Sequence, residues 1–155
     1  MLFRSTMASA YVPCDISSLV AYAQSLIAAD IKLTPLKDLQ GRIWREAYEK
    51  GVLISPLFAD VPPCLERWKE DGFILAVYSS GSVAAQKLLY QYSNAGNLLH
   101  LFSHWFDTHQ GPKQQAGSYQ SICEAMAIPP NQALFLSDSP MELEAARLEI
   151  GRAHV

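Results

Sequence analysis

Short apolar runs alternate with amphipathic segments along most of the second half of the chain. The clearest run, 73–78 (FILAVY), carries no charge and ends at the hydroxyl-rich turn 79–82 (SSGS). A run of this length between polar residues predicts a strand buried on both faces. Apolar positions at helical spacing follow from Val83 onward, so we predict a helix immediately after the turn.

The same alternation predicts the fold class. Strands that alternate with helices of about ten residues are typical of β-α-β units, so we predict an α/β fold with a Rossmann-like parallel sheet. The carboxyl ends of parallel strands meet at one edge of the sheet, and ligands bind at that edge. The predicted strands are 73–78 and 133–137 with an apolar segment at 98–106 between them, and the predicted helices are 83–92, 117–127 and 140–149.

Helical spacing dominates the first half of the chain. Apolar side chains from residue 16 to about residue 30 fall on one helical face. A second helix is predicted to start at Thr34-Pro35 and to end before Gly51, because proline favours the first turn and glycine the C-terminus. We expect these two helices to form a small antiparallel unit, and a further helix to start near Asp60.

The turn after the run 73–78 has the chemistry of an anion site. A helix N-terminus that follows a strand presents free backbone N–H groups and a positive dipole end, which favour a phosphate. Ser79 and Ser80 add hydroxyl donors, and Gly81 lets the backbone approach a ligand closely. The alternative is that Ser82 is only a helix N-cap and Gly81 only a turn residue.

Two charged residues are predicted at the same edge. Asp138 follows the strand 133–137, where its carboxylate would hold Mg²⁺, an ion that favours one or two carboxylates, a phosphate oxygen and waters. Lys113 follows Gly111-Pro112 in a loop, where its ammonium would neutralise phosphate charge, although a loop lysine is usually a solvated charge. Together with the serine turn, these residues suggest phosphoryl transfer.

Simpler interpretations are favoured for the polar neighbours of these residues. Ser139, Pro140 and Glu142 match a capping box, so we predict that Glu142 only closes the helix N-terminus. His109 is predicted to be an exposed loop residue and Asp107 a turn former.

Composition narrows the class of function. The chain of 155 residues has a net charge of −3 and no basic block, so a nucleic-acid or anionic-membrane surface is not expected. No apolar run approaches the roughly 20 residues of a membrane span, and the N-terminus lacks a signal-peptide pattern. The cysteines at 14, 64 and 123 have neither metal-binding spacing nor a disulfide pattern, so we expect a cytoplasmic protein.

Longer motifs resemble one known family. The chain is similar over about residues 16–148 to the enolase-phosphatases of methionine salvage, also called acireductone synthases, which are haloacid dehalogenase-like phosphatases. The matching segments are 33–51 (LTPLKDLQGRIWREAYEKG), 58–72 (FADVPPCLERWKEDG), 78–90 (YSSGSVAAQKLLY), 106–119 (FDTHQGPKQQAGSY) and 134–146 (LFLSDSPMELEAA).

The resemblance implies a reaction and roles for the matching residues. Ser79 and Ser80 would bind the substrate phosphate, Lys113 would contact phosphate and nucleophile, and Asp138 would hold Mg²⁺. Of these, Ser79 and Lys113 would take part in catalysis. The implied reaction enolises a small phosphorylated substrate, a diketo-methylthiopentyl phosphate, and then hydrolyses the phosphate to give an acireductone. The full-length family implies a monomer.

The resemblance also implies a domain organisation and exposes a departure. Residues 16–56 would be a helical cap, 57–148 a partial phosphatase core, and 149–155 a non-native tail. The family's nucleophile is an aspartate with a second acidic residue two positions later, and none of this chain's aspartates has one. Because the covalent step needs that nucleophile, we expect a fragment that begins inside the cap, lacks a central strand, is inactive alone and self-associates.

Three functions stay open at this point. The first is the enolase-phosphatase fragment, the second a non-catalytic module that binds a phosphate ligand, and the third a different haloacid dehalogenase-like phosphatase. The segment 36–44 belongs to the cap motif and favours the first over the third.

Overall fold

The computed structural model describes residues 15–29, 31, 33–151 and 153–154, and these residues form helices and short strands in alternation. The chain divides into two compact units, 1–43 and 44–155. Among the described residues the helices are Ile16–Ala28 (α1), Thr34–Glu49 (α2), Val61–Glu70 (α3), Val83–Gln91 (α4), Ala116–Ala125 (α5) and Pro140–Ile150 (α6), and the strands are Leu75–Tyr78 (β1), Phe102–Phe106 (β2), Phe135–Leu136 (β3) and Ala153–His154 (β4).

Local signals explain where the first two helices begin and end. The carboxylate of Asp15 accepts a hydrogen bond of 2.7 Å from the backbone N–H of Ser18, which caps α1 and lowers the pKa of Asp15. Helix α2 begins at Thr34, as predicted, and Gly51 follows its end with a φ of +67°, a conformation that glycine adopts without strain. Whether these helices are a cap stays a prediction.

The strands pair in parallel, which confirms the predicted α/β class. β1 pairs with β2, with Tyr78 opposite Phe106 at their carboxyl ends. β3 pairs with β4, with Phe135 opposite Ala153. Within the described part of the chain these are two separate two-stranded sheets, so β1 and β3 each have one paired edge and one unpaired edge.

The prediction that the run 73–78 is a strand buried on both faces is wrong. The strand begins only at Leu75, and the preceding Phe73 and Ile74 are 59% and 51% exposed. Among the described residues, β1 has a strand neighbour on one edge alone, so less of the run is covered than in a continuous sheet.

The best-buried apolar cluster lies where α5 and α6 pack together beneath β3 and β4. It contains Tyr119, Cys123, Leu143, Ala146 and Ile150, and Tyr78 and Phe135 pack against it. Burial raises the pKa of the Cys123 thiol, which favours the neutral form. None of the helices in the described ranges has the length and apolar character needed to cross a membrane.

Candidate functional site

The serine turn joins the end of β1 to the start of α4. The backbone N–H of Ser79 donates to the carbonyl of Phe106 at 3.1 Å, which continues the β1–β2 pairing by one residue. The Ser79 hydroxyl oxygen accepts a hydrogen bond of 3.2 Å from the Gly81 N–H, so the Ser79 side chain stabilises the turn. Ser82 is the N-cap of α4 and accepts from Ala85 N–H at 3.3 Å, as the simpler interpretation predicted for that residue.

A protein carboxylate already binds part of this helix N-terminus. Asp107 follows β2, and its Oδ2 accepts from the Val83 N–H at 3.3 Å while Oδ1 accepts from the His109 N–H at 2.9 Å. The bond from the His109 backbone lowers the pKa of Asp107 below its usual value. Within the described ranges, the N–H of Ser80 donates to no protein acceptor, so this donor is left for a ligand.

The loop that carries Lys113 is held against the end of β1. The Tyr78 hydroxyl donates to the carbonyl of Gly111 at 2.8 Å, and the Ser118 hydroxyl donates to the carbonyl of Pro112 at 2.8 Å. Gly111 has a φ of +129°, and a Cβ at this position would lie 2.2 Å from the Ser118 hydroxyl oxygen. Only glycine therefore fits here without a shift of the loop.

The loop directs the Lys113 ammonium to the carboxylate of Glu142. Lys113 Nζ lies 2.5 Å from Glu142 Oε2, and the two side chains are 20% and 15% exposed. The same nitrogen lies 5.9 Å from the ring centroids of Tyr78, the last residue of β1, and Phe135, the first residue of β3. The ammonium is therefore held by Glu142 and two aromatic rings rather than free in solvent.

The prediction that Glu142 only closes a capping box is wrong. Ser139 is the N-cap of α6, as predicted, but its side chain makes no capping hydrogen bond. Glu142 Oε2 instead accepts from the Ser137 hydroxyl at 2.8 Å and pairs with Lys113. A cation within reach competes with the backbone N–H for the carboxylate, and a charge-assisted contact is the stronger of the two.

Tyr119 ties the lysine loop to α6. Its single hydroxyl lies 2.6 Å from the carbonyl of Lys113 and 3.1 Å from the carbonyl of Glu142. Burial is the main cause that raises the pKa of Tyr119, and the charge of Glu142 adds to it. The tyrosine thus stays neutral and holds the two backbones on which the ion pair depends.

Asp138 is exposed and lies in the short segment 137–139 that joins β3 to α6. The described residues contain no group of three or more histidine, cysteine or acidic side chains that would form a metal cage. A single carboxylate is compatible with Mg²⁺, because that ion keeps several waters and takes few protein ligands. Asp138 is the residue that would hold it, since Glu142 is already paired with Lys113.

A series of side-chain contacts connects the end of β1, the loop that carries Lys113 and the segment before α6. Tyr78 contacts Lys113, Lys113 contacts Glu142, and Glu142 contacts Ser137. Ser79 follows Tyr78 directly in sequence, and Asp138 follows Ser137. The arrangement presents hydroxyl and N–H donors, one ammonium and one carboxylate, a set that can bind a phosphate together with a divalent cation.

Sequence reasoning missed two residues that support the serine turn. Asp107 was predicted only as a turn former, and Gln86 was not singled out. The Gln86 amide nitrogen donates at 2.8 Å both to the carbonyl of Gly81 and to that of Phe106, so it links the turn to the end of β2. The signal available was a polar residue on the apolar side of α4, where an amide is buried only when it is hydrogen-bonded.

Comparisons with known proteins agree on one family. The sequence model of the haloacid dehalogenase-like hydrolases matches residues 18–148. Enolase-phosphatase E1 of Synechococcus sp. (strain CC9605) is 51% identical over 134 residues, which are 86% of this chain and 54% of that protein. Enolase-phosphatase E1 of Sorangium cellulosum (strain So ce56) is 52% identical over 128 residues, which are 83% of this chain and 55% of that protein.

A solved structure has a similar fold. The crystal structure of the UTR4 protein from Saccharomyces cerevisiae is similar with a TM-score of 0.76 and 35% sequence identity, over 88% of this chain and 63% of that one. The chain spans about half the length of the curated relatives that it matches.

Proposed function

Because the chain belongs to the haloacid dehalogenase-like hydrolase family, we propose that it carries the phosphate-binding part of a magnesium-dependent enolase-phosphatase. The reaction would enolise a diketo-methylthiopentyl phosphate and hydrolyse the phosphate to give an acireductone in methionine salvage. The name Enolase-phosphatase E1 on relatives of about 50% identity supports this proposal. We propose the cytoplasm as the compartment, in keeping with Cys64 and Cys123, which form no disulfide within the described residues.

One observation carries the proposal. The Lys113 ammonium is held 2.5 Å from Glu142 and 5.9 Å from the ring of Tyr78, the residue that precedes the serine turn in sequence. A lysine restrained in this way offers charge to a ligand without first losing the rotamer freedom of a solvated side chain.

Each candidate residue has a role in binding the phosphate. The hydroxyls of Ser79 and Ser80 and the free N–H of Ser80 would donate to phosphate oxygens, and Lys113 would neutralise part of the negative charge. Asp138 would hold Mg²⁺, which, when bound, supplies further positive charge to the phosphate. Glu142 would keep the lysine in place throughout.

The chain by itself lacks the carboxylate nucleophile that hydrolysis by this family requires. None of its aspartates is followed two positions later by an acidic residue. We therefore propose that the chain binds phosphate ligands but does not turn over substrate alone. The same observation favours a second candidate function, a non-catalytic module that recognises a phosphate monoester.

Two measurements test the proposal. Phosphate release from the diketo-methylthiopentyl phosphate with Mg²⁺ should stay at background, and magnesium-dependent turnover would contradict the proposal that the chain is inactive alone. Calorimetry should detect binding of inorganic phosphate, weakened about 10- to 100-fold in Lys113→Met because a charge-assisted contact is lost. Lys87→Met is the matched control, since Lys87 is exposed on α4 and lies over Trp105.

A substrate comparison separates the remaining alternative. Tighter binding of common sugar phosphates than of the salvage intermediate would favour a different haloacid dehalogenase-like phosphatase. We also propose that the chain self-associates, because large side chains such as Phe58 and Phe73 are 84% and 59% exposed. A sharp monomeric peak on a sizing column would count against self-association.

A further inference from the structure

The backbone N–H groups along the serine turn alternate between donors that are used within the protein and donors that are free. Three of them donate to protein acceptors at 3.1–3.3 Å, those of Ser79, Gly81 and Val83. The N–H groups of Ser80 and Ser82 lie between these in sequence and donate to no acceptor in the described part of the chain. Because free N–H groups at a helix N-terminus favour an anion, these two amides are backbone donors that a phosphate can use.

The side chain of Gln86 holds the carbonyl group that precedes Ser82. Gln86 lies in the first turn of α4, where side chains tilt towards the helix N-terminus. Its amide nitrogen donates at 2.8 Å to the carbonyl of Gly81 and at 2.8 Å to that of Phe106. The Phe106 carbonyl also accepts from the Ser79 N–H, so Gln86 fixes the turn to the end of β2 at a point that is already paired.

The peptide between Gly81 and Ser82 connects this contact to the free amide. The peptide is trans, so its C=O and N–H groups point in opposite directions. Because the Gly81 carbonyl is held towards the buried Gln86 amide, the Ser82 N–H points away from it. Glycine has no Cβ and restricts its own peptide weakly, so the hydrogen bond from Gln86 limits a rotation that Gly81 itself would permit.

The other end of the Gln86 amide shows why a glutamine occupies this position. The residue is 5% exposed, and its Oε1 accepts no hydrogen bond from the residues that the structure describes. A buried acceptor without a donor is unfavourable. Methionine has a similar size and would avoid this cost, but it would leave the Gly81 carbonyl without its donor. The N–H donors of Gln86, rather than its packing, therefore account for the amide.

We infer that Gln86 is a positioning residue for anion binding at the serine turn. By holding the Gly81 carbonyl inward, it presents the N–H of Ser82 to a phosphate that also binds the N–H of Ser80. This inference rests on the proposed function and specifies which backbone groups of that site bind the ligand. Ser82 then has two roles, since its hydroxyl caps α4 while its N–H binds the phosphate.

Amide signals in nuclear magnetic resonance spectra of the whole chain test the inference directly. On titration with inorganic phosphate, the N–H signals of Ser80 and Ser82 should move downfield until the site is saturated, because each N–H gains an anionic acceptor. The N–H signal of Val83 is the internal control and should not move downfield, because this group already donates to Asp107.

A variant without the side-chain amide tests the role of Gln86. In Gln86→Met, phosphate affinity measured by calorimetry should fall about 3- to 10-fold, because a hydrogen bond to a charged group is weakened rather than removed. The phosphate-induced shift of Ser82 should shrink, whereas that of Ser80 should persist, because the preceding Ser79 still pairs with Phe106. A purely structural role would lower stability without changing one shift relative to the other.

Two further variants complete the test. Gln86→Asn, used if Gln86→Met does not fold, keeps an amide but is one methylene shorter and cannot reach both carbonyls, so the same loss is expected. Gln91→Met is the matched control, since Gln91 lies on the same helix and its side chain makes no hydrogen bond within the described ranges. It should bind phosphate as the parent chain does.

The outcomes separate the inference from the proposed function. Phosphate binding without downfield shifts of Ser80 and Ser82 would overturn the inference and leave the phosphate site standing. The same conclusion would follow if the Gln86 variant bound phosphate as tightly as Gln91→Met. Failure of inorganic phosphate to bind the parent chain would overturn both proposals.

Discussion

Neutralising Glu142 should show how much the fixed lysine depends on its partner. Glu142→Gln keeps an acceptor for the Ser137 hydroxyl but leaves the Lys113 ammonium without a counter-charge 2.5 Å away. Exposed ion pairs contribute about 0–1 kcal/mol, and breaking a fully buried pair costs about 3–5 kcal/mol. With side chains 15–20% exposed, this pair lies between the limits, so we expect a loss of about 1–3 kcal/mol.

Urea unfolding measures this loss. At a slope of about 1–3 kcal/mol per molar urea, the midpoint should fall by about 1 M. Glu144→Gln is the matched control, because Glu144 lies on the same helix, is exposed, and makes no ion pair within the described ranges. A double-mutant cycle with Lys113→Met should give a coupling above about 1 kcal/mol.

The reasoning would be refuted by equal midpoints for Glu142→Gln and Glu144→Gln, or by a coupling to Lys113→Met near zero. Either result would mean that the ammonium is held by the loop backbone and not by the carboxylate. Phosphate affinity provides an independent readout, since a displaced ammonium in Glu142→Gln should weaken phosphate binding severalfold while Glu144→Gln leaves it unchanged.

The remaining predictions concern the residues that hold the loop and the turn. Gly111→Ala should lower the free energy of unfolding by at least about 1–3 kcal/mol, because its Cβ would lie 2.2 Å from the Ser118 hydroxyl oxygen. The control Gly117→Ala, in open space on α5, should be neutral or stabilising. Equal melting temperatures of the two variants would contradict this prediction. The lowered pKa of Asp107 means that its contribution to stability is complete above its usual pKa and is lost as the pH falls below that value. Asp107→Asn should therefore reduce the fall in the free energy of unfolding at acid pH. An unchanged fall at acid pH would contradict this prediction. The raised pKa of Tyr119 means that its contribution to stability is complete below pH 10 and lost as the pH rises above it. Tyr119→Phe should therefore lower stability by about 1–2 kcal/mol at neutral pH and remove this alkaline sensitivity, and a variant as stable as the parent would be evidence against a hydrogen bond from the Tyr119 hydroxyl to these carbonyls.

The order and type of the elements could be predicted from the sequence because the local signals agree with the fold. Pro35 and Gly51 bracket α2, and Ser82 and Ser139 mark the first turns of α4 and α6. The parallel pairing followed from the alternation of strands and helices, since strands joined through helices cannot form simple hairpins. These features depend on neighbours in sequence, which a single chain displays directly.

Burial and side-chain partners could not be predicted in the same way. Trp44 is a large apolar residue on α2, yet it is 46% exposed and lines a cavity of about 300 Å³ together with Ser79 and Gly81. Glu142 fits a capping box by its spacing, and only the three-dimensional position of Lys113 decides which partner it takes. Such choices depend on residues distant in sequence, about which local patterns carry no information.

We propose that Ser79, Ser80, Lys113 and Asp138 together hold a phosphate beside a divalent cation. The most direct test is the affinity of the chain for inorganic phosphate, measured with and without Mg²⁺ in the parent chain and in Asp138→Asn. We predict that Mg²⁺ strengthens phosphate binding in the parent chain and has no effect in Asp138→Asn. A magnesium effect of equal size in both proteins, or no phosphate binding in the parent chain, would contradict the claim.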